Sequence, residues 1–352
     1  MSAAPRLARD LAALDVSASG AQAVFAVARR IELRRTQKGD PFVTLELCDC
    51  SATFKAKIWA NAREAMEVAQ ALRAGTPVKV LVEISAFQGQ NELDIKKLRV
   101  ATDADADEGY EPARLYGAAH ALVREVACDT LVIDIETVPT VDLRKAPATI
   151  AQAVSKAAEQ RQYDEAKVMG LSPFFGQVVS LAVGDGNADP SIMPVTVFVV
   201  PPRGHEGKKL PPWVRPVSER ELIEAFWGLA ALAETVVTFN GFYFDIPYLV
   251  ARSVVLGVPA RVDLLSQRYA TKPHCDVLRV FTQDSRSLQP ATLEIVCWAL
   301  GIESPKGDMD GSLVAPTYQA GDIEKIAVYN AADVRATAAV YRRLAEMVLR
   351  YR

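Results

Sequence analysis

Five residues of this 352-residue chain have types and spacing suited to holding a divalent cation: Asp134, Glu136, Asp245, Tyr329 and Asp333. Asp134 and Glu136 stand two apart in TLVIDIE (130–136), an apolar run interrupted only by acids. Such a run reads as a buried strand, on which residues two apart point to the same face. Two carboxylates there are costly unless something compensates them. Hard oxygen donors make magnesium or manganese the natural compensation. Tyr329 and Asp333 are four apart in a helical stretch and so share one helix face. Asp245 begins a helix shortly after the apolar run TVVTFNG (235–241), with Asn240 near the end of that run. Each pair alone reads first as a solvated face or a cap. The weight lies in all three occurring in order, each in an element that lets them converge.

The elements that must position them fall into two groups. Residues 20–101 read as a small all-β unit. FVTLELCD (42–49) and FKAKIWA (54–60) alternate, the second with Lys55, Lys57 and Trp59 on one face and Phe54, Ala56 and Ile58 on the other. A helical stretch closed by Gly75 follows, then two more alternating strands, PVKVLVEIS and NELDIKKLRV. With FAVARRIEL (25–33) as the opening strand, three strands, a helix and two strands are the order of a five-stranded OB barrel. Residues 1–19 read as an N-terminal leader and 102–114 as an acidic linker. From 115 to 352 strands and helices alternate: strands at 130–136, 177–184, 195–202 and 235–241, helices at 219–234 and 244–257, and a long amphipathic region at 322–349. This order predicts an α/β domain of ribonuclease-H-like type with a mixed central sheet. Residues 140–170 read as a polar, helix-prone insertion and 203–216 as a loop.

Charge is uneven. Residues 20–100 carry 13 Lys and Arg against 9 Asp and Glu, while 101–352 carry 25 against 32. Five of those acids lie in 101–112. The net charge of −3 argues against gripping nucleic acid by bulk electrostatics, but bound metal would neutralise part of an acidic site. The five cysteines form no CxxC pair and have no histidine at zinc-ligand spacing, so they read as reduced thiols of a cytoplasmic protein. No apolar run reaches membrane-span length, and no Gly-x4-Gly-Lys phosphate loop is present, so ATP-driven action is not expected.

DIETVP (134–139), TFNGFYFDIPYL (238–249) and YNAADVRAT (329–337) resemble the three motifs of the DEDD exonucleases. They fit the tyrosine branch, and within it the bacterial enzymes related to the proofreading domain of family-B DNA polymerases. LSPFFGQVVSLAVG (171–184), HCDVL (274–278) and KGDMDGSLV (306–314) are similar to that family too, so the resemblance covers about residues 129–346. The histidine branch would need histidine at position 328, which is valine. The resemblance implies a 3′–5′ exonuclease using two magnesium or manganese ions. Asp134 would bridge both ions, Glu136 and Asp333 would complete the shell of the water-activating one, Asp245 would hold the second, and Tyr329 would orient the attacking water. Nucleoside 5′-monophosphates would be released. Thr137, Asn240, Phe242 and Phe244 are candidates for contact with the terminal nucleotide, with turn and core packing as the competing reading for Phe244.

RTQKGDPFVTLELCDCSATFKAKIWA (35–60) resembles the OB domains of bacterial nucleic-acid enzymes, some exoribonucleases among them. Lys38, Lys55, Lys57 and Trp59 then become candidates for phosphate contact and base stacking. The alternative is a solvated face with Trp59 half-buried against the helix. His120 and His205 read as surface or core residues. His274 reads as structural first and as part of an active-site rim second. Asp308 and Asp310 read as turn residues first and as substrate contacts second. The leading expectation is an exonuclease acting on single strands, DNA favoured over RNA, with the barrel feeding the strand to the site. The alternatives are a nucleic-acid-binding or regulatory protein on a structural nuclease fold, and a proofreading subunit serving a partner polymerase or repair protein.

Overall fold

The computed structural model describes residues 5–18, 20–87, 89–267, 269–285, 288–304 and 309–351. Contacts divide the chain into two compact units, Met1–Asp129 and Thr130–Arg352.

The first unit is built on a closed barrel of β1 (Gln22–Arg35), β2 (Pro41–Cys48), β3 (Thr53–Trp59), β4 (Thr76–Phe87) and β5 (Gln90–Val100), in the order β1-β2-β3-β5-β4. Helix α1 (Arg63–Ala71) lies between β3 and β4 in sequence, as in an OB fold. Alternation places Val43, Leu45, Leu47, Ala56, Ile58, Leu93 and Ile95 inside. The 14-residue β1 bends at a bulge between Arg29 and Glu32, where Arg30 takes φ 51°. Such a bulge adds the twist that barrel closure needs.

Two segments expected outside the barrel are folded onto it. Ala8, Leu11 and Leu14, in the stretch read as a leader, are buried in the barrel core, and the Leu11 N–H donates to Asp49 Oδ2 (2.7 Å). The stretch read as a linker forms a 3-10 helix over Asp103–Glu108. Arg99 holds both carboxylate oxygens of Asp105 (2.7 and 2.9 Å), and Lys79 holds Glu108 (2.6 Å). Tyr110 is buried against Phe25. Helices α2 (Pro112–Tyr116) and α3 (His120–Val126) follow in the same unit, where the Tyr116 hydroxyl donates to the Gly75 carbonyl. The division between units therefore falls after Asp129, because basic strand residues and buried tyrosines hold the acidic stretch down.

The second unit has a six-stranded sheet. Its strands are β6 (Thr130–Pro139), β7 (Gly176–Asp185), β8 (Val195–Val199), β9 (Val214–Pro216), β10 (Thr235–Thr238) and β11 (His274–Asp276), in the order β11-β10-β6-β7-β8-β9. β10 runs parallel to β6 and β7 antiparallel, so the sheet is mixed and β6 is central. Between β6 and β7 lie α4 (Ala148–Arg161) and α5 (Glu165–Gly170), the expected insertion. Helices α6 (Glu219–Leu232) and α7 (Asp245–Leu256) flank β10 in sequence. After β11 come α8 (Val277–Thr282), α9 (Leu293–Leu300), α10 (Val314–Gln319) and α11 (Ile323–Met347). α6 starts with a capping box in which Ser218 and Glu221 satisfy each other's backbone N–H groups.

The 25-residue α11 lays Ala327, Ala331, Val334 and Ala338 in one core with Val132, Ala182 and Val197 of the sheet. Small residues allow a close approach. A Cβ on Gly184 would lie 3.2 Å from Val334 Cγ1. Val132 faces α11, so by strand alternation Asp134 and Glu136 face it too.

Candidate active site

The side chains of Asp134, Glu136 and Asp333 offer carboxylate oxygens that all lie within 4.8 Å of one another. β6 supplies the first two and α11 the third. All three residues keep some exposed surface. Tyr329 stands one turn before Asp333 on α11, with its hydroxyl beside the carboxylates of Glu136, Asp333 and Asp134. Asp245 sits at the start of α7, 4 % exposed, and its Oδ1 accepts the Ile135 N–H (3.2 Å). The five residues picked out by spacing are thus gathered around the middle of β6, at residues 134–136.

The electrostatics favour a cation. Burial pushes the Asp134 carboxyl well above its ordinary range, with added repulsion from Asp245, Glu136 and Asp333 and opposition from the Asn330 amide. Glu136 is raised by burial and by Asp333 and Asp245. Asp245 is pushed up to about 7, chiefly by burial, against the N–H bonds it accepts. Tyr329 is raised by burial and by the surrounding carboxylates. Among the described residues no Lys or Arg pairs with Asp134, Glu136 or Asp245. Such a set of crowded carboxylate oxygens could hold a hard divalent cation.

Four further residues hold this constellation, and the sequence reading did not assign them. Asn330 is fully buried; its Nδ2 donates to Asp134 Oδ2 (2.6 Å) and its Oδ1 accepts from the Ser180 hydroxyl (3.0 Å). Its place beside Tyr329 in YNAAD was the available signal. Asp276 caps α8 and accepts the N–H groups of Asn240 (3.0 Å), Phe242 (3.0 Å) and Arg279 (3.3 Å). It thereby fixes the loop that delivers Asp245. That loop is tight: Asn240 has φ 65°, and a Cβ on Gly241 would lie 2.4 Å from Thr238 Oγ1. Glu219, at the start of α6, accepts the Val178 N–H (2.9 Å). Val178 lies beside a register shift between β6 and β7 at Glu136/Thr137. Arg252 of α7 grips both oxygens of Glu219 (2.8 and 2.6 Å) and donates to the Pro173 carbonyl (2.9 Å). The helix carrying Asp245 is thus tied to the strand beside Glu136.

The candidate nucleotide contacts have separate environments. The Thr137 hydroxyl donates to the Gly170 carbonyl (2.9 Å). Phe242 stacks under the Arg279 guanidinium (3.8 Å to the ring centroid), and Arg279 pairs with Asp284. Phe244 precedes α7 with its ring tilted against Tyr248 (5.6 Å). His274 is buried between the Thr238 hydroxyl (2.8 Å) and the Leu264 carbonyl (3.1 Å), a structural setting. Asp310 caps the 3-10 turn Gly311–Leu313, as a turn residue should. Lys306, Gly307 and Asp308 of the KGDMDGSLV loop lie outside the described residues.

In the barrel, Lys55, Lys57 and Trp59 share the outer face of β3 as alternation predicts. Trp59 is 38 % exposed, stacked on Phe42 (5.3 Å), with its indole N–H on Asp94 (2.9 Å). Lys57 pairs with Glu92, and Arg29 and Arg30 pair with Glu46. Lys38 is exposed in the β1–β2 turn. The face is aromatic but its charge is largely compensated. Among the described residues no helix is long and apolar enough to cross a membrane.

Comparison with known proteins bears on the second unit first. Residues 213–350 match the model of a family described as "Predicted 3'-5' exonuclease related to the exonuclease domain of PolB". That stretch holds Asp245, Tyr329 and Asp333; Asp134 and Glu136 lie before it. Among solved structures, the family B DNA polymerase from the hyperthermophilic archaeon Pyrobaculum calidifontis is similar at 18 % identity and a TM-score of 0.40, over 91 % of this chain and 46 % of the polymerase. This chain therefore spans less than half of that polymerase. Single-stranded DNA binding protein from Thermus aquaticus matches 24 % of this chain and 41 % of its own length, at 23 % identity and a TM-score of 0.21. The protein PriB from Ralstonia solanacearum matches 24 % of this chain over its whole length, at 15 % identity and a TM-score of 0.21. The chain is a five-stranded closed barrel followed by an α/β unit consistent with the ribonuclease-H-like fold, and the match of residues 213–350 to a family of predicted exonucleases related to that of PolB supports a nuclease role.

Proposed function

We propose that this protein is a metal-dependent 3′–5′ exonuclease that degrades single-stranded nucleic acid, DNA in preference to RNA, to nucleoside 5′-monophosphates. The observation that carries this reading is the convergence of Asp134, Glu136 and Asp333 within 4.8 Å, beside a buried Asp245. Asp134, Glu136, Asp245 and Asp333 would hold two magnesium or manganese ions. When bound, such ions stabilise the attacking and leaving oxygens of an in-line displacement at phosphorus.

The chain's own groups do the rest. Asn330 fixes one oxygen of the Asp134 carboxylate by donating a hydrogen bond to it. Tyr329, raised well above its usual range, keeps its proton at neutral pH and can orient a water molecule by hydrogen bonding. Asp276 and the Glu219–Arg252 pair hold Asp245 and the β6–β7 edge in place, which limits reorganisation during the reaction. The Trp59–Phe42 stack gives the barrel an aromatic platform for unpaired bases. The preference for DNA rests on the likeness to polymerase-related exonucleases.

The test is release of mononucleotides from 3′-labelled single strands of matched DNA and RNA sequence. Magnesium or manganese should support it, and excess EDTA or Asp134→Ala should abolish it. Full activity of the Asp134→Ala protein, or activity in EDTA, would overturn the mechanism.

A further inference from the structure

The barrel has a second groove, apart from the β2–β3 face. It encloses about 810 Å³ between α1, β4, β5 and the segment before β1. Its floor is aliphatic, with Leu7, Ala65, Leu81 and Leu98. Leu7 is 40 % exposed. The charged residues lining it are Arg63, Lys79, Lys96, Lys97 and Arg99 against a single acid, Glu64. The chain's own carboxylates already hold part of this rim: Asp105 on Arg99, Glu108 on Lys79 and Arg99, and Glu83 on Lys96. Arg63 and Lys97, by contrast, have no carboxylate partner among the described residues.

We propose that this groove docks an acidic, aliphatic-tipped peptide segment of a partner protein. Carboxylates would meet Arg63 and Lys97, and aliphatic side chains would cover Leu7, Leu81 and Leu98. The charge sign and the apolar floor together select this occupant. A single nucleic-acid strand would share the charge requirement, but its bases need aromatic surfaces to stack on. The groove is lined by no aromatic ring among the described residues. The proposal does not depend on the nuclease reading.

The experiment uses the full chain and a fluorescent peptide of four aspartates followed by two leucines, titrated by anisotropy at low salt. The expected result is saturable binding below about 1 mM, weakened about tenfold or more by Asn in place of Asp in the peptide or by the double variant Arg63→Glu/Lys97→Glu. Arg63 is the first residue of α1, where an acid is compatible with the helix dipole, and Lys97 is exposed on β5, so the variant should melt as the parent does. A parallel titration uses oligothymidylate. Absence of peptide binding, binding indifferent to the double variant, or an equal loss for oligothymidylate would each overturn the proposal; the last would make the groove a general polyanion site.

Discussion

Replacing Asp245 by Asn separates charge from shape at the buried corner of the carboxylate cluster. The amide oxygen of Asn can still accept the Ile135 N–H, so the local geometry has a reason to persist. The charge, however, is gone. The Asp245 carboxyl is pushed from 3.8 to about 7, chiefly by burial. A displacement of about three pH units corresponds to on the order of 4 kcal/mol. A carboxyl group raised in the folded state contributes stability below its unfolded value, and that contribution is lost as pH rises through the folded value. In EDTA at about pH 8, the unaltered protein therefore bears the cost of a buried charge, with some repulsion added, that Asp245→Asn lacks. Asp134 and Glu136 are relieved as well, since Asp245 contributes to raising both. The variant should be more stable by on the order of 2–4 kcal/mol at about pH 8, with the gap shrinking toward pH 5. Urea unfolding followed by tryptophan fluorescence measures this directly. With millimolar magnesium the gap should close, because the cation neutralises the parent site and has less to bind in the variant. Exonuclease activity should fall by roughly a hundredfold or more. A variant less stable than the parent at high pH in EDTA, or a gap independent of pH, would refute the reasoning.

Three other outcomes follow from the same geometry. Trp59→Ala should weaken single-strand binding by about 1–3 kcal/mol while leaving kcat at saturating substrate unchanged; a sharp drop in melting temperature with binding intact would make Trp59 a packing residue. Asp276→Asn removes an acceptor from the N–H groups of Asn240 or Phe242, so it should cost about 1–3 kcal/mol of stability and raise the magnesium concentration needed for half-maximal activity. A variant that loses stability but keeps its magnesium requirement would show that Asp276 does not position Asp245. His274 is held down to about 4 by burial, so its neutral form stabilises the fold fully above about pH 6.5, and that contribution declines as pH falls toward 4. Unfolding midpoints should fall across that window, and less so in His274→Gln; identical acid limbs for the two proteins would exclude this residue as the cause.

Much of the architecture was legible because short-range periodicity reports it. Alternation in FVTLELCD and FKAKIWA separated the inner and outer faces of β2 and β3, and the order of strands and helix implied the barrel. A spacing of two on a strand and of four on a helix placed Asp134 with Glu136 and Tyr329 with Asp333. The three-residue strands β9 and β11 left no such trace, since a period cannot be read from three residues. The loop role of Asp276 was equally hidden, because its backbone donors Asn240 and Phe242 carry no side-chain signature of the bond.

Local spacing by itself determined which carboxylates share a face, and the motif likeness determined which family the second unit resembles. Tertiary structure alone decided what surrounds each charge. Lys57 and Trp59 read as a basic, aromatic face until β5 brought Glu92 and Asp94 beside them, each 35 residues away in sequence. Residues 102–114 read as an acidic linker until Lys79 and Arg99 drew Glu108 and Asp105 onto the barrel. Asp134 acquired its amide partner from Asn330, 196 residues downstream. Side-chain periodicity is a property of one element, whereas solvation and charge compensation depend on whichever other elements the fold brings into contact.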